Sequence, residues 1–324
     1  MSGHEFLDSL IVFGPVPSRR LGRSLGVNNI PPKICSYSCV YCQLGRTHHF
    51  SSSRKTYYQP EDIFERIKAR TDVIIKKGEK IDYITFVPDG EPTLDAKLGL
   101  EIDMAKTLGF KTAVITNSSL IGLDCVKNDL MKADLVCFKV DAVQEDIWKK
   151  IDRPSKNISL KTVLEGIKSF SKTYKGRLIT DTMLCGGLND DARHIIELAS
   201  YLGSIGACSN YISTITRPPA ENTAKKPSEE KLNGAFQAIN MAGGRAELNI
   251  GFEGVDFSSS GKAEEGFLSI ISVHPMREDA VMAFIKNTGA DPGLIEDLKL
   301  RGEIVETIYA GEKFFIRKIN GPRA

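Results

Sequence analysis

The sequence predicts an α/β protein. A partial (β/α)6 TIM-like barrel over residues 1–250 is followed by a winged-helix-like C-terminal unit over residues 265–324. Three observations predict this. From about Asp82, short β-branched runs alternate with amphipathic segments, the pattern of repeated strand–helix units around a parallel sheet. A tight cysteine group precedes that alternation, where the loop after a first strand would lie. Beyond Arg277 the order changes to helix, helix, hairpin.

In chain order, a strand around Gly26 to Ile30 leads into the cysteine loop. The segment Pro60 to Lys77 carries Ile63, Phe64, Ile67 and Ile74 at helical spacing. Strands follow at Asp82 to Val87, Lys111 to Thr116, Leu135 to Asp141, Leu178 to Leu184 and Tyr211 to Thr216. Between the third and fourth of these, Leu160, Val163, Leu164, Ile167 and Phe170 mark a covering helix. Six strands would place the functional loops at their carboxyl ends. Arg217 to Glu229, rich in proline and polar residues, reads as a long connection to the last barrel helix. A helix from Arg277 to Asn287, a turn at Gly289, and a helix opened by Asp291-Pro292 and ended near Gly302 come next. Strands Glu303 to Tyr309 and Lys313 to Ile319, joined at Ala310-Gly311, complete the unit.

A chain of 324 residues affords a large core, and its 41% hydrophobic and 26% charged residues are ordinary for a globular protein. The net charge of +2 names neither nucleic acid nor membrane as a partner. No signal-type segment and no apolar run near the ~18 residues of a membrane span are found, so no membrane and a cytoplasmic setting are expected. Seven cysteines, an odd number, do not suit a disulfide framework; a tight group in a reducing compartment points to metal or redox work.

Cys35-Ser36-Tyr37-Ser38-Cys39-Val40-Tyr41-Cys42 has the spacing C-x3-C-x2-C, three soft thiolates in one short loop. Such ligands select zinc or an iron–sulfur cluster. Structural zinc wants four closed ligands, and His48 or His49 is near enough in sequence to serve. A cubane cluster held by three cysteines leaves one iron open for a substrate-like ligand. Inert buried thiols are the third reading.

The cysteine spacing, with Tyr41 at its aromatic position, resembles the signature of the radical S-adenosylmethionine (radical SAM) superfamily. That resemblance implies a [4Fe–4S] cluster on Cys35, Cys39 and Cys42, whose open iron takes the amino and carboxylate groups of S-adenosylmethionine. An electron, from a donor such as flavodoxin or ferredoxin, would then give methionine and a 5′-deoxyadenosyl radical that abstracts hydrogen from a substrate. The wider run Gly14 to Gly26, with Gln43-Leu44-Gly45-Arg46-Thr47, resembles the branch grouped with tRNA wyosine synthases. Those carry extra N-terminal cysteines for a second cluster, and here none precedes Cys35. The implied substrate is a nucleoside in tRNA or other RNA, with a protein or peptide side chain as the alternative.

Further positions follow from the resemblance. Asp89-Gly90-Glu91-Pro92-Thr93 stands where the family carries a Gly-Gly-Glu-type segment that receives the cofactor ammonium, which gives Gly90 and Glu91 a binding role; a plain helix-capping turn is the alternative. Thr116-Asn117-Ser118-Ser119 and Lys139-Val140-Asp141 resemble positions that hold ribose and carboxylate. Together with Tyr41, Asn117 and Asp141 are therefore expected to position the cofactor. Lys139 and Asp141, two apart on a strand, share a face and are candidate catalytic groups. They could equally form an ion pair at the barrel rim, or Lys139 a Schiff base. Thr182 to Asn189-Asp190 would approach adenine through its glycines, with Asn189-Asp190 capping the next helix. Arg19, Arg20, Arg23 and Arg217 could meet a phosphate or carboxylate. Cys125, Cys137, Cys185 and Cys208 read as idle thiols. In the C-terminal unit Lys299, Arg301, Lys313, Arg317, Lys318 and Arg323 form a modest basic edge, as suited to protein as to RNA. The rival from another class is a non-catalytic metal-binding regulator of nucleic acid.

Overall fold

A computed structural model describes residues 11–251 and 263–318. Its strands are β1 (Val12–Ser18), β2 (Gly22–Val27), β3 (Ile34–Cys35), β4 (His49–Phe50), β5 (Tyr83–Phe86), β6 (Lys111–Thr116), β7 (Leu135–Lys139), β8 (Arg177–Met183), β9 (Ser209–Ser213), β10 (Ala246–Asn249), β11 (Met276–Arg277), β12 (Ile304–Tyr309) and β13 (Glu312–Arg317). The helices are α1 (Pro60–Lys76), α2 (Leu98–Lys106), α3 (Asp124–Leu130), α4 (Glu145–Ile151), α5 (Leu160–Thr173), α6 (Ala192–Ile205), α7 (Glu229–Met241), α8 (Ala263–Val273), α9 (Glu278–Thr288) and α10 (Leu294–Leu300). Among the described residues no helix is long and apolar enough to cross a membrane.

One sheet runs in the order β1-β2-β5-β6-β7-β8-β9-β10. Strands β2 and β5 to β10 are parallel, and β1 is antiparallel to β2. The sheet curls without closing, a partial barrel. All six expected strands are present, and the structure adds β1 and β10 at the edges.

Strand alternation sorts side chains between two cores. Val136 and Phe138 of β7 turn outward into the main core with Ile167 and Phe170 of α5. Leu135 and Cys137 turn inward, joining Leu21, Ala113, Ile179 and Tyr211 to plug the barrel interior. Leu21 belongs to the β1–β2 turn, which therefore folds into the barrel. Helix α1 opens with Pro60 and two acidic residues, suited to the exposed N–H groups and positive end of a helix start, and buries Ile63, Ile67 and Ile74 on one stripe. Helix α6 is capped by Asp191, which accepts from the Arg193 and His194 N–H groups, and ends at Gly206 with φ 69°. Asp191 thus has the capping role expected of Asn189-Asp190.

The helix, helix, hairpin order after Arg277 is present, with one helix more. Helix α8 comes first, and β11 pairs with β13 to make a three-stranded sheet in the order β11-β13-β12. Ala310 and Gly311, with φ of 50° and 81°, form the tight turn of the hairpin. Phe267, Ile270, Phe284, Leu298, Ile304 and Phe315 share a core against which Val16 of β1 packs. Ile319 and Arg323 lie outside the described residues. The basic edge is largely spoken for: Lys299 pairs with Glu296 and Glu306, Arg301 with Glu264, Asp297 and Glu303, and Lys313 with Glu278. The buried Arg317 donates to the Leu268 carbonyl at 3.0 Å.

Glu101 on α2 is buried, with one oxygen accepting from Asn29 Nδ2 at 3.1 Å and the other without a hydrogen bond among the described residues. Burial, and then the charge of Asp95, push its pKa up to about 9 against the Asn29 hydrogen bond. An unfolded Glu ionises near pH ~4.3, so between the two values the folded chain keeps a proton that the unfolded chain has lost. Stability should fall across that window by about 1.4 kcal/mol per pH unit from this group. Glu101→Gln should flatten the slope by about one proton and raise stability at about pH 8 relative to about pH 6; denaturant titrations of both proteins test it.

Candidate functional site

The cysteine loop starts at β3, which pairs in parallel with the returning β4. Its backbone is pinned to the end of α4. Ser38 N–H donates to the Asp152 carbonyl at 3.0 Å, Val40 N–H to Ile151 at 2.9 Å, and Ser155 N–H to Ser36 at 2.8 Å. Within the loop Cys42 N–H donates to the Cys39 carbonyl at 3.1 Å, and Thr47 Oγ1 to the Tyr37 carbonyl at 2.5 Å. The connection after β9 crosses the loop like a strap. Glu221 N–H bonds the Val40 carbonyl at 3.0 Å, and the Glu221 carboxylate accepts from Arg46 at 2.8 Å and Arg153 at 2.6 Å.

The segment after β5 supports the loop from the other side. Gly90 bridges to Ile34, and a Cβ at Gly90 would lie 2.0 Å from the Ile34 carbonyl oxygen. Glu91 is 1% exposed. It accepts from Thr93 N–H at 3.0 Å, Thr93 Oγ1 at 2.6 Å, Thr116 Oγ1 at 2.6 Å and Asn117 N–H at 2.7 Å. Burial raises the Glu91 pKa, and these donors pull it back. The Asn117 amide in turn donates to Ser36 Oγ at 2.9 Å and reaches Cys35 Sγ at 3.5 Å.

A second set of groups meets at the ends of β7 and β8. Tyr41 donates a short hydrogen bond to Asp141 and lies 3.5 Å from Asp152, whose carboxyl Oδ1 is 3.3 Å from Cys39 Sγ. Burial, and then the neighbouring Asp141 charge, raise the Asp152 pKa well above the usual range. Met183 N–H donates to Asp141 at 2.7 Å. Lys139 sits 3.6 Å from Asp141, 3.4 Å from Asp181 and 5.3 Å from the Tyr41 ring centre. Burial lowers the Lys139 pKa, but the two carboxylates outweigh it and the net shift is upward. Lys139 is therefore a cation held in an ion-pair network, not the neutral amine that Schiff-base formation needs. Asp181 also accepts from Arg20 at 2.6 Å and Ser213 at 2.6 Å. Burial raises its pKa, and Lys139, Arg20 and Ser213 together bring it below the ordinary Asp value.

These groups border a cavity of about 330 Å³ whose walls include Cys42, Tyr41, Lys139, Asp181, Arg20 and Arg217. Arg217 contacts Gln43 at 3.1 Å and His274 at 2.7 Å. Burial, then the Arg217 charge, hold His274 well below its usual pKa, so it is neutral. The four arginines expected together are divided. Arg20 and Arg217 line the cavity, Arg19 lies against the cavity residue Gly251, and Arg23 pairs with Glu79 at 2.5 Å. Asn189 ties the strand ends, donating to the Asp141 and Met183 carbonyls at 2.8 and 2.9 Å.

The chemistry of the donor set fits an iron–sulfur cluster. Three thiols share one partly exposed loop and act on one another's ionisation, and burial raises all three, Cys35 to about 12. A bound metal centre would reverse that preference by holding them as thiolates. His48 and His49 are exposed, and among the described residues no three His, Cys, Asp or Glu side chains gather around a single-ion position. Asp152, Asp181 and Lys33 were not foreseen. Asp181 had a signal, a carboxylate inside a buried strand, which burial makes costly unless paired. The contact of Asp152 with Cys39 joins residues 113 apart and leaves no local pattern.

Because the atom that a Gly90 side chain would strike is backbone, Gly90→Ala should displace β3 and lower iron uptake on anaerobic reconstitution several-fold. Gly234→Ala, in open space on α7, should leave iron content unchanged. Iron and sulfide assays on both variants check this.

The radical SAM superfamily matches residues 29–199. A UPF0026 protein of Methanocaldococcus jannaschii is 42% identical over 311 residues, 95% of this chain and 96% of that protein. A probable dual-specificity RNA methyltransferase of Protochlamydia amoebophila is 24% identical over 63% of this chain and 57% of its own. Among solved structures, a radical SAM methyltransferase from Sphaerobacter thermophilus aligns with a TM-score of 0.55 at 16% identity, covering 70% of this chain and 66% of that one. TYW1, solved with a lysine–pyruvate adduct bound, aligns at 0.50 and 18% identity, covering 68% and 73%. At such identities the structural likeness speaks to the fold, and it agrees with the partial TIM-like barrel. With the match across residues 29–199 and a relative aligned along nearly its whole length, the chain belongs to the radical SAM superfamily of enzymes.

Proposed function

We propose that this protein is an iron–sulfur enzyme that cleaves S-adenosylmethionine reductively and abstracts hydrogen from a nucleoside in RNA. The observation that carries the reading is the position of the cysteine loop, which puts Cys42 in the wall of a charged cavity at the strand ends. Bound to Cys35, Cys39 and Cys42, a [4Fe–4S] cluster would deliver one electron that breaks a C–S bond of S-adenosylmethionine and yields a 5′-deoxyadenosyl radical. The chain's own residues do the rest. Tyr41 and Asp141 offer an aromatic face and a carboxylate toward the cofactor, Gly90 and Glu91 fix the loop that receives its ammonium, and Asn117 links that post to Cys35. Lys139, held protonated, would position an anionic group of cofactor or substrate beside Asp141. The cavity walls exclude water from the reacting atoms.

An RNA substrate is supported by the distant RNA methyltransferase relative and by the resemblance of the N-terminal run to wyosine synthases. A peptide side chain remains the second substrate class. A one-electron donor of flavodoxin or ferredoxin type belongs to this reading, as does a division into a 1–250 catalytic body and a 265–324 unit of winged-helix-like order that borders the cavity. All seven cysteines are unpaired, which suits a reducing, cytoplasmic setting. The regulator reading fits poorly with membership of an enzyme superfamily.

Protein reconstituted anaerobically with iron and sulfide, reduced and given S-adenosylmethionine should release 5′-deoxyadenosine, measured by mass spectrometry. Cys39→Ala should reduce release to background, whereas Cys125→Ala, at an exposed thiol, should leave it intact. Adding unmodified tRNA should raise the yield and shift a nucleoside mass. A rise with peptides alone would favour the second class, and no release from an intact, reducible cluster with either would sink the proposal.

A further inference from the structure

Two buried charges beside the cysteine loop have no part in the network above. Lys33 is 8% exposed and Asp89 5%. Lys33 stands two residues before Cys35, and Asp89 immediately before Gly90. Their backbones are joined, Lys33 N–H donating to the Asp89 carbonyl at 2.8 Å, and their charges lie 3.3 Å apart. Yet neither Lys33 Nζ nor Asp89 Oδ2 makes a hydrogen bond among the described residues. A buried ion pair with unsatisfied donors and acceptors is less stable than an apolar pair of the same size. Lys33 is also held at φ 64°, a left-handed conformation that is strained for a non-glycine residue. An arrangement this unfavourable for folding asks for a use, and it sits at the base of the cysteine loop: the Lys33 carbonyl accepts from His49 N–H at 3.0 Å where β3 and β4 pair, and Gly90, which follows Asp89, bridges to Ile34 beside Cys35.

We propose that Lys33 and Asp89 are an electrostatic pair that sets the reduction potential of the cluster held by Cys35, Cys39 and Cys42. Lys33 stabilises the reduced form and Asp89 opposes it. The inference rests on the function proposed above. Reduction brings one electron, from a low-potential flavoprotein or ferredoxin, onto a group that three thiolates already make negative. No proton is taken up, and the donor is oxidised by one electron. In a site of low effective dielectric a fixed cation nearby favours the extra negative charge, and a fixed anion disfavours it. Because the two residues are themselves paired, removing either exposes the cluster to the other.

The test is an EPR-monitored redox titration of the reconstituted full-length protein without S-adenosylmethionine. Lys33→Met should move the midpoint to more negative potential and Asp89→Asn to less negative potential, each by at least about a threefold change in the reduced-to-oxidised ratio at fixed poise, tenfold being ~59 mV for one electron. Lys33→Arg should stay near the parent value. Lys161→Gln, whose partner Glu165 is an exposed helix neighbour, should not move it. Loss of packing alone would not shift the two variants in opposite directions. Shifts of the same sign, or no shift at parental iron and sulfide content, would overturn the inference. So would a parent that loads a cluster when neither variant does, since the pair would then be structural. Unchanged midpoints with weakened S-adenosylmethionine binding would also overturn it, assigning the pair to that ligand. A parent that holds no cluster would instead bring down the proposed function.

Discussion

The carboxylate of Glu91 is taken out of water and surrounded by donors from two parts of the chain. Hydrogen bonds to a charged group contribute roughly 1.5–3 kcal/mol each, against a desolvation cost that only a full set can offset. Here the donors are Thr93, just past the carboxylate in sequence, Thr116 at the end of β6, and the backbone of Asn117 beyond it. The end of one strand is thereby fixed to the end of the next. Through the Asn117 amide the tie continues to Ser36 and Cys35, so the first cysteine is placed by a carboxylate it does not touch. Gly90 completes the arrangement by letting the segment lie flush against Ile34, where a side chain would have no room.

The opposite side of the loop depends on a different balance of charge. Asp141, Asp152, Asp181, Lys139 and Arg20 lie within reach of one another, and a low-dielectric interior does not tolerate net charge in such a group. Two devices keep it near neutral. Burial and the Asp141 charge raise the Asp152 pKa, which eases the crowding of the two carboxyl groups. Lys139 and Arg20 then both pair with Asp181 through its Oδ2. Because Tyr41 bonds to Asp141 and Cys39 lies against Asp152, the second half of the cysteine motif is positioned by a charge group whose Lys139, Asp181 and Arg20 line the cavity.

The barrel was legible because parallel strands covered on both faces read as apolar runs, and Lys111–Thr116 is found at the predicted residues. Elements with weak local signals were not. β1 contains Gly14, Pro15 and Pro17 and is tolerable as a strand only because it is an edge. β10, Ala-Glu-Leu-Asn, has no β-branched residue, and α8 is buried around most of its circumference, so it lacks the polar face that marks a helix. In the site, the cysteines and Tyr41 were legible from spacing, and Glu91, Asn117, Lys139 and Asp141 from their places at strand ends. What escaped were partners brought in over long separations: Asp152 onto Cys39, Arg20 onto Asp181, His274 onto Arg217.

The last of these contacts bears on where specificity resides. Gln43, one residue past Cys42, donates to the Val273 carbonyl at 2.9 Å and accepts from Arg217, which also meets His274. Tyr309, from the hairpin, reaches the Ile215 carbonyl at 3.4 Å and packs among the residues around the cysteine loop. One wall of the cavity is thus made where barrel and C-terminal unit meet, and a neutral His274 can accept from Arg217 there without adding to its charge. That wall is tied directly to the cysteine loop, because Gln43 follows Cys42 and Tyr309 packs against the same cluster as Cys35, Cys39 and Tyr41. A substitution at that seam is therefore felt at the cysteine loop itself.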